Sequence, residues 1–326
     1  MLAELMAYPL SVVCRVLGVT QSGFHAWRGR GPSRRAQERD RLSTEIRTVF
    51  DGHRGRYGAP RIYRVLCEGF DYTGSLNRIQ TLMRAMGLRA KAGRKYKVTT
   101  DSDHTLPIAP NLLGQDFSCD THPQATSHAK GPDQVWLSDI TYLWTREGWL
   151  YVCAVLDLFT RKIVGWAMAE HMTRELVLNA LRMANKTRKP PPGLIFHSDR
   201  GSQYASHEVR AWLVAQAMRQ SMSGTGNCYD NAPMESYWHS LKVEETHGQD
   251  FATRAAATHS VFAYIEGWYN TTRMHSSLDY KSPVQFERDH HAKLLKAAND
   301  ELIAISRNNS QSARLQKVRL KPSTKS

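Results

Sequence analysis

The spacing of apolar residues changes sharply along the chain near residue 134. Up to about residue 97 apolar positions recur every three or four residues, which is the period of amphipathic helices, and residues 98–130 show little periodicity. Beyond residue 134, three apolar runs at 135–144, 149–158 and 162–169 are joined by short polar turns and predict an antiparallel meander. Helical patterns then alternate with strands at 194–196 and 220–223. This order predicts an all-α region followed by an α/β domain with a mixed five-stranded sheet and flanking helices.

The first helical segment, residues 9–29, has helix-turn-helix spacing. Gly18 permits a turn after an apolar stripe, and Thr20 can cap the next helix. The stripe consists of Val12, Val13, Val16 and Leu17, and Phe24 and Trp27 are expected to pack back against it. An ordinary helical hairpin explains so short a pattern equally well.

A second helical pair begins at Pro60, and its second helix is expected to start after Ser75 and to end at Gly87. Seven basic residues cluster on and after that second helix. They are Arg78, Arg84, Arg89, Lys91, Arg94, Lys95 and Lys97. A solvated helix face more often alternates positive and negative charges, so the cluster favours contact with DNA phosphates.

The changes in pattern predict six segments along the chain. They are a helix-turn-helix-like segment (1–32), a basic helical DNA-binding domain (33–97), a linker (98–130), a catalytic domain (131–250), its helical extension (251–287) and a basic helical or disordered tail (288–326).

The formal net charge of +14 predicts a polyanionic partner, either nucleic acid or an anionic membrane surface. The surplus lies at the two ends, because residues 1–130 carry +9, residues 131–287 carry −1 and residues 288–326 carry +6. The longest strongly apolar stretch, 149–156, is far shorter than the roughly 20 residues of a membrane span. No helical pattern sets a bulky apolar face opposite the basic clusters, so DNA is the expected partner and a membrane is not.

The cysteines and the N-terminus give an expectation about location. Five cysteines, an odd number, are far apart and form no C-x-x-C pair, which predicts a reducing compartment. Glu4 and Arg15 interrupt the N-terminal apolar run, so no signal peptide is expected.

Three carboxylates occupy positions typical of an active site. Alternation places Asp139 in a mostly apolar row of the first strand, where a carboxylate needs a cationic partner, a hydrogen-bond network or a metal. Asp199 follows the strand at 194–196, at the carboxyl edge where α/β proteins bind ligands. Glu235 follows Pro233 in the first turn of a helix. Taken singly, each also has an ordinary structural explanation, as a buried polar group, a turn residue or a capping charge.

Taken together, the three sites resemble those of the integrase-core DDE transposases of bacterial insertion sequences. The motifs are Ser-Asp-Ile-Thr-Tyr-Leu around Asp139, His-Ser-Asp-Arg-Gly-Ser-Gln-Tyr around Asp199, and Asp-Asn-Ala-x-x-Glu-Ser around Glu235, followed by Lys242-x-Glu244. The closing Trp268-Tyr269-Asn270-x-x-Arg273-x-His275 is also similar to that family. The resemblance covers nearly the whole chain and is strongest to the larger, OrfB-type product of elements that encode an OrfA and an OrfB.

The resemblance implies a ribonuclease-H-like fold in which Asp139, Asp199 and Glu235 converge as catalytic and metal-binding residues. Carboxylate oxygens are hard ligands suited to Mg²⁺ or Mn²⁺. Two ions per active site are implied, with Asp139 bridging both, Asp199 holding one and Glu235 the other. The implied reaction is hydrolysis at an element end to free a 3′-OH, followed by attack of that 3′-OH on another phosphodiester. Lys242 is assigned by resemblance to a DNA phosphate, with a solvated lysine as the alternative.

Three further residues are expected around this site. His197, Asp230 and Asn231 are expected to orient the metal site or its loop, although Asp and Asn before a helix are ordinarily caps. Zinc bound by His197 and Asp199 is excluded, because no other His or Cys lies at ligand spacing.

The resemblance also implies the partners. They are double-stranded DNA, both the terminal inverted repeats of the element and the target, and further copies of the chain assembled on that DNA in the bacterial cytoplasm, at the nucleoid. An OrfA subunit or an OrfA-OrfB fusion is expected as well, because this chain shows no sustained heptad repeat. Two alternatives stay open: a ribonuclease-H-like nuclease that cuts without joining, and a domesticated DNA-binding protein that has lost catalysis.

Overall fold

The structure is a computed structural model that describes residues 9–91, 106–117, 129–224 and 228–319. It divides into two compact units, the first ending at Ala90 and the second beginning at Lys91. In this described part of the chain, no helix has the length and apolar character needed to cross a membrane.

The first unit is helical. Its helices are α1 (Leu10–Val16), α2 (Gln21–Gly29), α3 (Arg34–Gly52), α4 (Ala59–Gly69) and α5 (Leu76–Ala85). Helices α3, α4 and α5 share a buried core of Leu42, Ile46, Val49, Ile62, Leu66, Ile79 and Met83. The predicted boundaries of α5 are confirmed, since the Ser75 side chain accepts from the N–H of Arg78 and Gly87 has φ +69°.

The N-terminal pair α1 and α2 is confirmed in part. Gly18 takes φ +65° between the two helices, and the Thr20 side chain accepts from the N–H of Gly23. The predicted apolar stripe is wrong, because Val13 is buried while Val12, Val16, Leu17 and Trp27 are exposed. A helix of seven residues beside one of nine covers only a narrow strip of surface, and Cys14 takes the second buried place.

The second unit contains the predicted mixed sheet of five strands. They are β1 (Val135–Thr145), β2 (Gly148–Asp157), β3 (Ile163–Ala169), β4 (Ile195–Ser198) and β5 (Arg219–Met222). Their spatial order is β3-β2-β1-β4-β5, with β1, β2 and β3 antiparallel and with β4 parallel to both β1 and β5. The fold class expected from the sequence is therefore confirmed.

Strand β1 is the longest and is paired unequally on its two sides. Its hairpin with β2 extends to the pair Thr145↔Gly148. Its pairing with β4 ends at Ser138↔Ser198. On that side, no described residue pairs with β1 again until an isolated bridge between Thr145 and Phe251. The edge of β1 that begins at Asp139 is therefore open.

Helices cover both faces of the sheet. They are α6 (Arg174–Arg188), α7 (Ser202–Ala205), α8 (His207–Ala215), α9 (Ala232–Leu241), α10 (Arg254–Tyr264) and α11 (Pro283–Arg319). Helices α6 and α8 bury Trp136, Cys153 and Phe196 of one face. Successive side chains of a strand point to opposite faces, so Asp139 faces the other way. There it accepts from Trp238 of α9.

A buried ion pair holds the C-terminal helices to α9. Short π-helical segments follow α9 (Lys242–Thr246) and α10 (Ile265–Tyr269), and they carry Glu244 and Trp268. The Arg273 guanidinium donates to both carboxylate oxygens of Glu244, at 2.9 and 3.0 Å from Nε. The Tyr264 hydroxyl and the Trp268 indole donate to the same carboxylate, at 3.0 and 3.2 Å. The motif residues Glu244, Trp268 and Arg273 thus form one structural network.

The outer edge of the sheet is also held by the C-terminal segment. The Asn270 side chain accepts from the N–H of Ile163 and donates to its carbonyl, both at 2.9 Å. A side-chain amide therefore replaces a neighbouring strand at the start of β3.

We expect Gly165→Ala to destabilise the protein. A Cβ at Gly165 would lie 2.3 Å from the carbonyl oxygen of Ala180 and 2.7 Å from the Cβ of Ala184. Neither neighbour can rotate away, so the free energy of unfolding should fall by about 1–3 kcal/mol. The midpoint of urea unfolding measures this. Gly267→Ala is the control, because a Cβ there meets nothing within 4 Å. An equal loss in both variants would contradict the predicted clash.

We also expect Arg273→Met to cost about 3–5 kcal/mol of stability, because it leaves the Glu244 carboxylate buried without its cation. Arg182→Met removes an exposed partner of Glu175 and should change stability by less than about 0.5 kcal/mol. Chemical denaturation of the two variants and the wild type makes the comparison. A similar small effect in both would show that the buried pair adds little.

Candidate active site

Two of the three predicted carboxylates are brought together by strand pairing. Strands β1 and β4 are parallel, and their last pair is Ser138↔Ser198. Asp139 and Asp199 are the next residues of the two strands, so they lie side by side where the pairing ends. Glu235 lies in the first turn of α9, one helical turn before Trp238, whose indole contacts Asp139. The negative charges of Asp199 and Glu235 both act on Asp139.

The Asp139 carboxyl is held in place and is hard to ionise. Its two oxygens accept from the backbone N–H of Ile140 at 2.8 Å and from the Trp238 indole at 3.0 Å. The pKa of Asp139 is raised to about 8, mainly by burial and next by the negative charge of Asp199. The charge of Glu235 has a smaller effect in the same direction, and the two hydrogen bonds oppose the shift. A cation bound beside Asp139 would lower the pKa of this carboxyl and keep it ionised at neutral pH.

Asp199 is fixed by the turn that follows it. Its Oδ1 accepts from the backbone N–H of Gly201 at 2.9 Å. A Cβ on Gly201 would come within 3.1 Å of that oxygen and 2.9 Å of the Gln203 side-chain oxygen, so a larger residue there would press on the Asp199 carboxylate. Glu235 is more exposed, and partial burial raises its pKa.

The groups at this point fit a hard divalent cation. All three carboxylates supply oxygen ligands. Asn231 adds a buried side-chain oxygen that accepts no hydrogen bond from any described residue, while its amide nitrogen donates to the carbonyl of Ser138 at 3.2 Å. Across the described ranges, no three His, Cys, Asp or Glu side chains are close enough to share a single ion.

His197 lies behind the carboxylates and is neutral. The N–H of Leu112 donates to the Ser221 hydroxyl, which lies 2.8 Å from His197 Nδ1, and Nε2 lies 2.8 Å from the carbonyl oxygen of Asp230. Burial lowers the pKa of His197 to about 4. Both ring nitrogens are engaged, so this side chain positions the loop before α9.

Asp230 ties that loop to a segment expected to be a linker. Its carboxylate accepts from the side chains of Asn111 and Gln115 at 3.1 and 2.8 Å and from the N–H of Gly224. Asn111 and Gln115 could not be identified from the sequence, because polar residues without periodicity carry no signal of a contact more than a hundred residues away. Residues 106–117 therefore belong to the support of the site.

Lys242 is half-buried and is influenced by the charge of Asp139. Burial lowers its pKa to about 8, and the charge of Asp139 opposes that shift. Its ammonium lies 5.7 Å from the centre of the Tyr142 ring.

The other predicted DNA contacts are placed as follows. Arg78 and Arg84 lie exposed on α5, and Arg89 follows them. Lys91 donates to the carbonyl of Glu244 at 2.9 Å. Arg94, Lys95 and Lys97 lie outside the described residues.

A mixed sheet with carboxylates at adjacent parallel strand ends, and a third on the helix packed over them, is the arrangement of ribonuclease-H-like polynucleotidyl transferases. Comparison with known families agrees. Two models described as "Integrase core domain" match residues 129–228 and 235–290, and a model described as "HTH-like domain" matches residues 37–96.

Known proteins identify the family. The chain is 43% identical to the insertion element IS600 31 kDa protein of Shigella sonnei, over 86% of this chain and 98% of that protein. It is 42% identical to transposase InsF of insertion sequence IS3A from Escherichia coli, over 86% of this chain and 94% of that protein. The chain therefore belongs to the IS3 family of insertion-sequence transposases, and the family predicted from the sequence is confirmed. It is a DNA transposase of the DDE type, and integrase core domains are metal-dependent.

Among solved structures, the catalytic core of HTLV-2 integrase in complex with magnesium is similar. It has a TM-score of 0.36 and 13% sequence identity, and the match covers 48% of this chain and 97% of that one.

We expect Asp139→Asn to stabilise the metal-free protein at pH 7–8 and to have little effect at pH 4. The folded-state pKa of Asp139, about 8, lies above the value of about 3.9 in an unfolded chain. The unfolded chain therefore loses this proton first, and the wild type loses stability as pH rises from about 4 to 8. Asparagine has no charge to bury. Thermal melting in EDTA across pH 4–9 tests this, and a difference independent of pH would contradict it.

Proposed function

We propose that Asp139, Asp199 and Glu235 hold two Mg²⁺ (or Mn²⁺) ions and that this site cuts and joins DNA at insertion-sequence ends. The observation that supports it best is the adjacency of Asp139 and Asp199 beyond the last β1–β4 pair, where burial and then the charge of Asp199 raise the pKa of Asp139 to about 8. A site with so high a cost for ionisation suits a bound divalent cation.

Each carboxylate has a separate role in this proposal. Asp139 contributes to both ions, Asp199 to one and Glu235 to the other, so each ion needs two of these side chains. The proposal therefore does not need all three carboxylates to bind the same ion. The unsatisfied Asn231 oxygen lies beside Ser138 and can accept from a water molecule on an ion.

The reaction needs no nucleophile from the protein. Bound ions would activate the attacking oxygen and stabilise the leaving one. The chain's own residues hold the substrate: Lys242 contacts a phosphate near the carboxylates, while Trp238 and Ile140 fix Asp139. Water attacks first and frees a 3′-OH at the element end, and that 3′-OH then attacks the target phosphodiester. This excludes a covalent protein–DNA intermediate.

DNA recognition is proposed for the basic helical part of the chain, residues 33–97, with catalysis in 131–250. Arg78 and Arg84 lie exposed on α5, a helix of the region matched by the HTH-like model. With Arg89, Lys91, Arg94, Lys95 and Lys97 they are proposed to contact the phosphates of the terminal inverted repeats.

Further copies of the chain and an OrfA subunit, or an OrfA-OrfB fusion, are proposed to complete the assembly on DNA. The bacterial cytoplasm is the proposed location, because that is where the chromosomal target lies.

Strand cleavage and joining of labelled element ends with Mg²⁺ tests the site. Glu235→Gln removes a proposed metal ligand while keeping its size, and it should reduce both steps by more than about 100-fold. Glu208→Gln is the matched control, because Glu208 also lies in the first turn of a helix of the second unit. It should retain wild-type activity.

The outcomes separate the alternatives. Equal activity of wild type and Glu235→Gln would refute the metal-site assignment. Cleavage without joining by the wild type would favour the nuclease alternative. Binding with neither step would favour a domesticated DNA-binding protein.

A further inference from the structure

The hairpin of β1 and β2 carries four aromatic side chains beyond the active site. Tyr142 pairs across the strands with Tyr151, and Trp144 pairs with Trp149. The Trp144 and Trp149 rings meet edge to face with centres 4.8 Å apart, and Tyr142 and Trp149 do so at 4.9 Å. We call Tyr142, Trp144, Trp149 and Tyr151 the hairpin cluster.

The hairpin cluster is not part of the core. Trp144 is 60% exposed and Trp149 is 42% exposed, whereas the intervening residues Leu143 and Leu150 are buried. A cross-strand aromatic pair stabilises a hairpin, but a smaller residue at 144 would satisfy that need with less apolar surface in water. In an edge-to-face pair only one ring presents its face to the other, so Trp144, the more exposed of the two tryptophans, has surface on which a further partner can stack.

The hairpin cluster lies further along the same strand as the proposed active site. Trp144 is five residues beyond Asp139, which corresponds to about 16 Å along the strand. Asp139 and the hairpin cluster lie on opposite faces of the sheet, but the edge of β1 between them is open from Asp139 to the bridge at Thr145.

Lys242 links the two surfaces around that edge. Its ammonium lies over the Tyr142 ring, and it interacts electrostatically with Asp139. The Lys242 ammonium can therefore bind a DNA phosphate. The base next to that phosphate could then stack on the exposed rings of the hairpin cluster.

We propose that the hairpin cluster stacks unpaired bases of the DNA strand that passes the active site, with Lys242 contacting the adjacent phosphate. The inference rests on the proposed function, since it takes the occupant of the site to be DNA. Aromatic rings stack on any base, so the surface is selective for single-stranded character rather than for sequence. It would hold an unpaired strand about 16 Å along β1 from the point of cutting.

The test uses the full chain in EDTA, so that no cleavage occurs. The probes are a duplex with a four-nucleotide 3′ overhang containing 2-aminopurine, whose fluorescence falls on stacking, and the matching blunt duplex. The wild type should quench the probe and bind the overhang about tenfold more tightly than the blunt end. Trp144→Ala should lose most of both effects, and Trp144→Phe should retain them. Affinity for the blunt duplex should stay within about twofold in all variants.

Phe262→Ala is the matched control. Phe262 is 45% exposed and also meets a tryptophan ring, Trp166, with centres 5.8 Å apart, but it lies on α10. Its loss should leave the overhang preference unchanged. Light scattering of wild type and Trp144→Ala examines the other possible occupant, a second copy of the chain.

The inference is overturned if Trp144→Ala keeps the preference and the quenching, or if it changes only the oligomeric mass. Glu235→Gln should quench the probe like the wild type, because stacking needs no metal. If the wild type fails to cleave DNA, the stacking test can still be carried out and interpreted. If the wild type cleaves DNA but does not stack the probe, only this inference is overturned.

Discussion

Like charges held close together at the ends of two parallel strands are the constraint on which the catalytic unit depends. Strand pairing places Asp139 beside Asp199 without regard to their repulsion, and burial adds to the cost of ionising Asp139. The hydrogen bonds from Ile140 and Trp238 offset part of that cost. A site of this kind cannot be held by one element alone, because the carboxylates would move apart. Its support comes from elements about a hundred residues away in sequence.

The support runs through α9 to the end of the domain. Trp238 reaches Asp139 from α9, and the π segment directly after this helix carries Glu244. Glu244 is bonded to Arg273 and to two aromatic side chains of the α10 region. The motif residues that look catalytic in the sequence therefore divide into two groups. The first three carboxylates are the proposed metal ligands, and the Glu244–Arg273 pair keeps the helix above them in place.

Much of this arrangement could be predicted from local pattern. Five strands, the caps at Thr20 and Ser75 and the turn at Gly18 follow from period and side-chain chemistry, and the family resemblance pointed to the three carboxylates. The link from Asp230 to Asn111 and Gln115 could not be predicted, because a contact between irregular segments has no periodic signal. The exposure of Val16 and Leu17 was missed for a related reason: periodicity indicates which side of a helix is apolar but not whether anything covers it.

The side-chain amide of Asn270 affects the tendency of this protein to aggregate. An edge strand with free N–H and C=O groups is a template for another chain, and β3 is the outermost strand of this sheet on its side. By bonding both backbone groups of Ile163, Asn270 removes the first pairing position of that edge. Copies of the protein at high local concentration thereby have one fewer place at which two sheets can pair edge to edge, so they are less prone to aggregate.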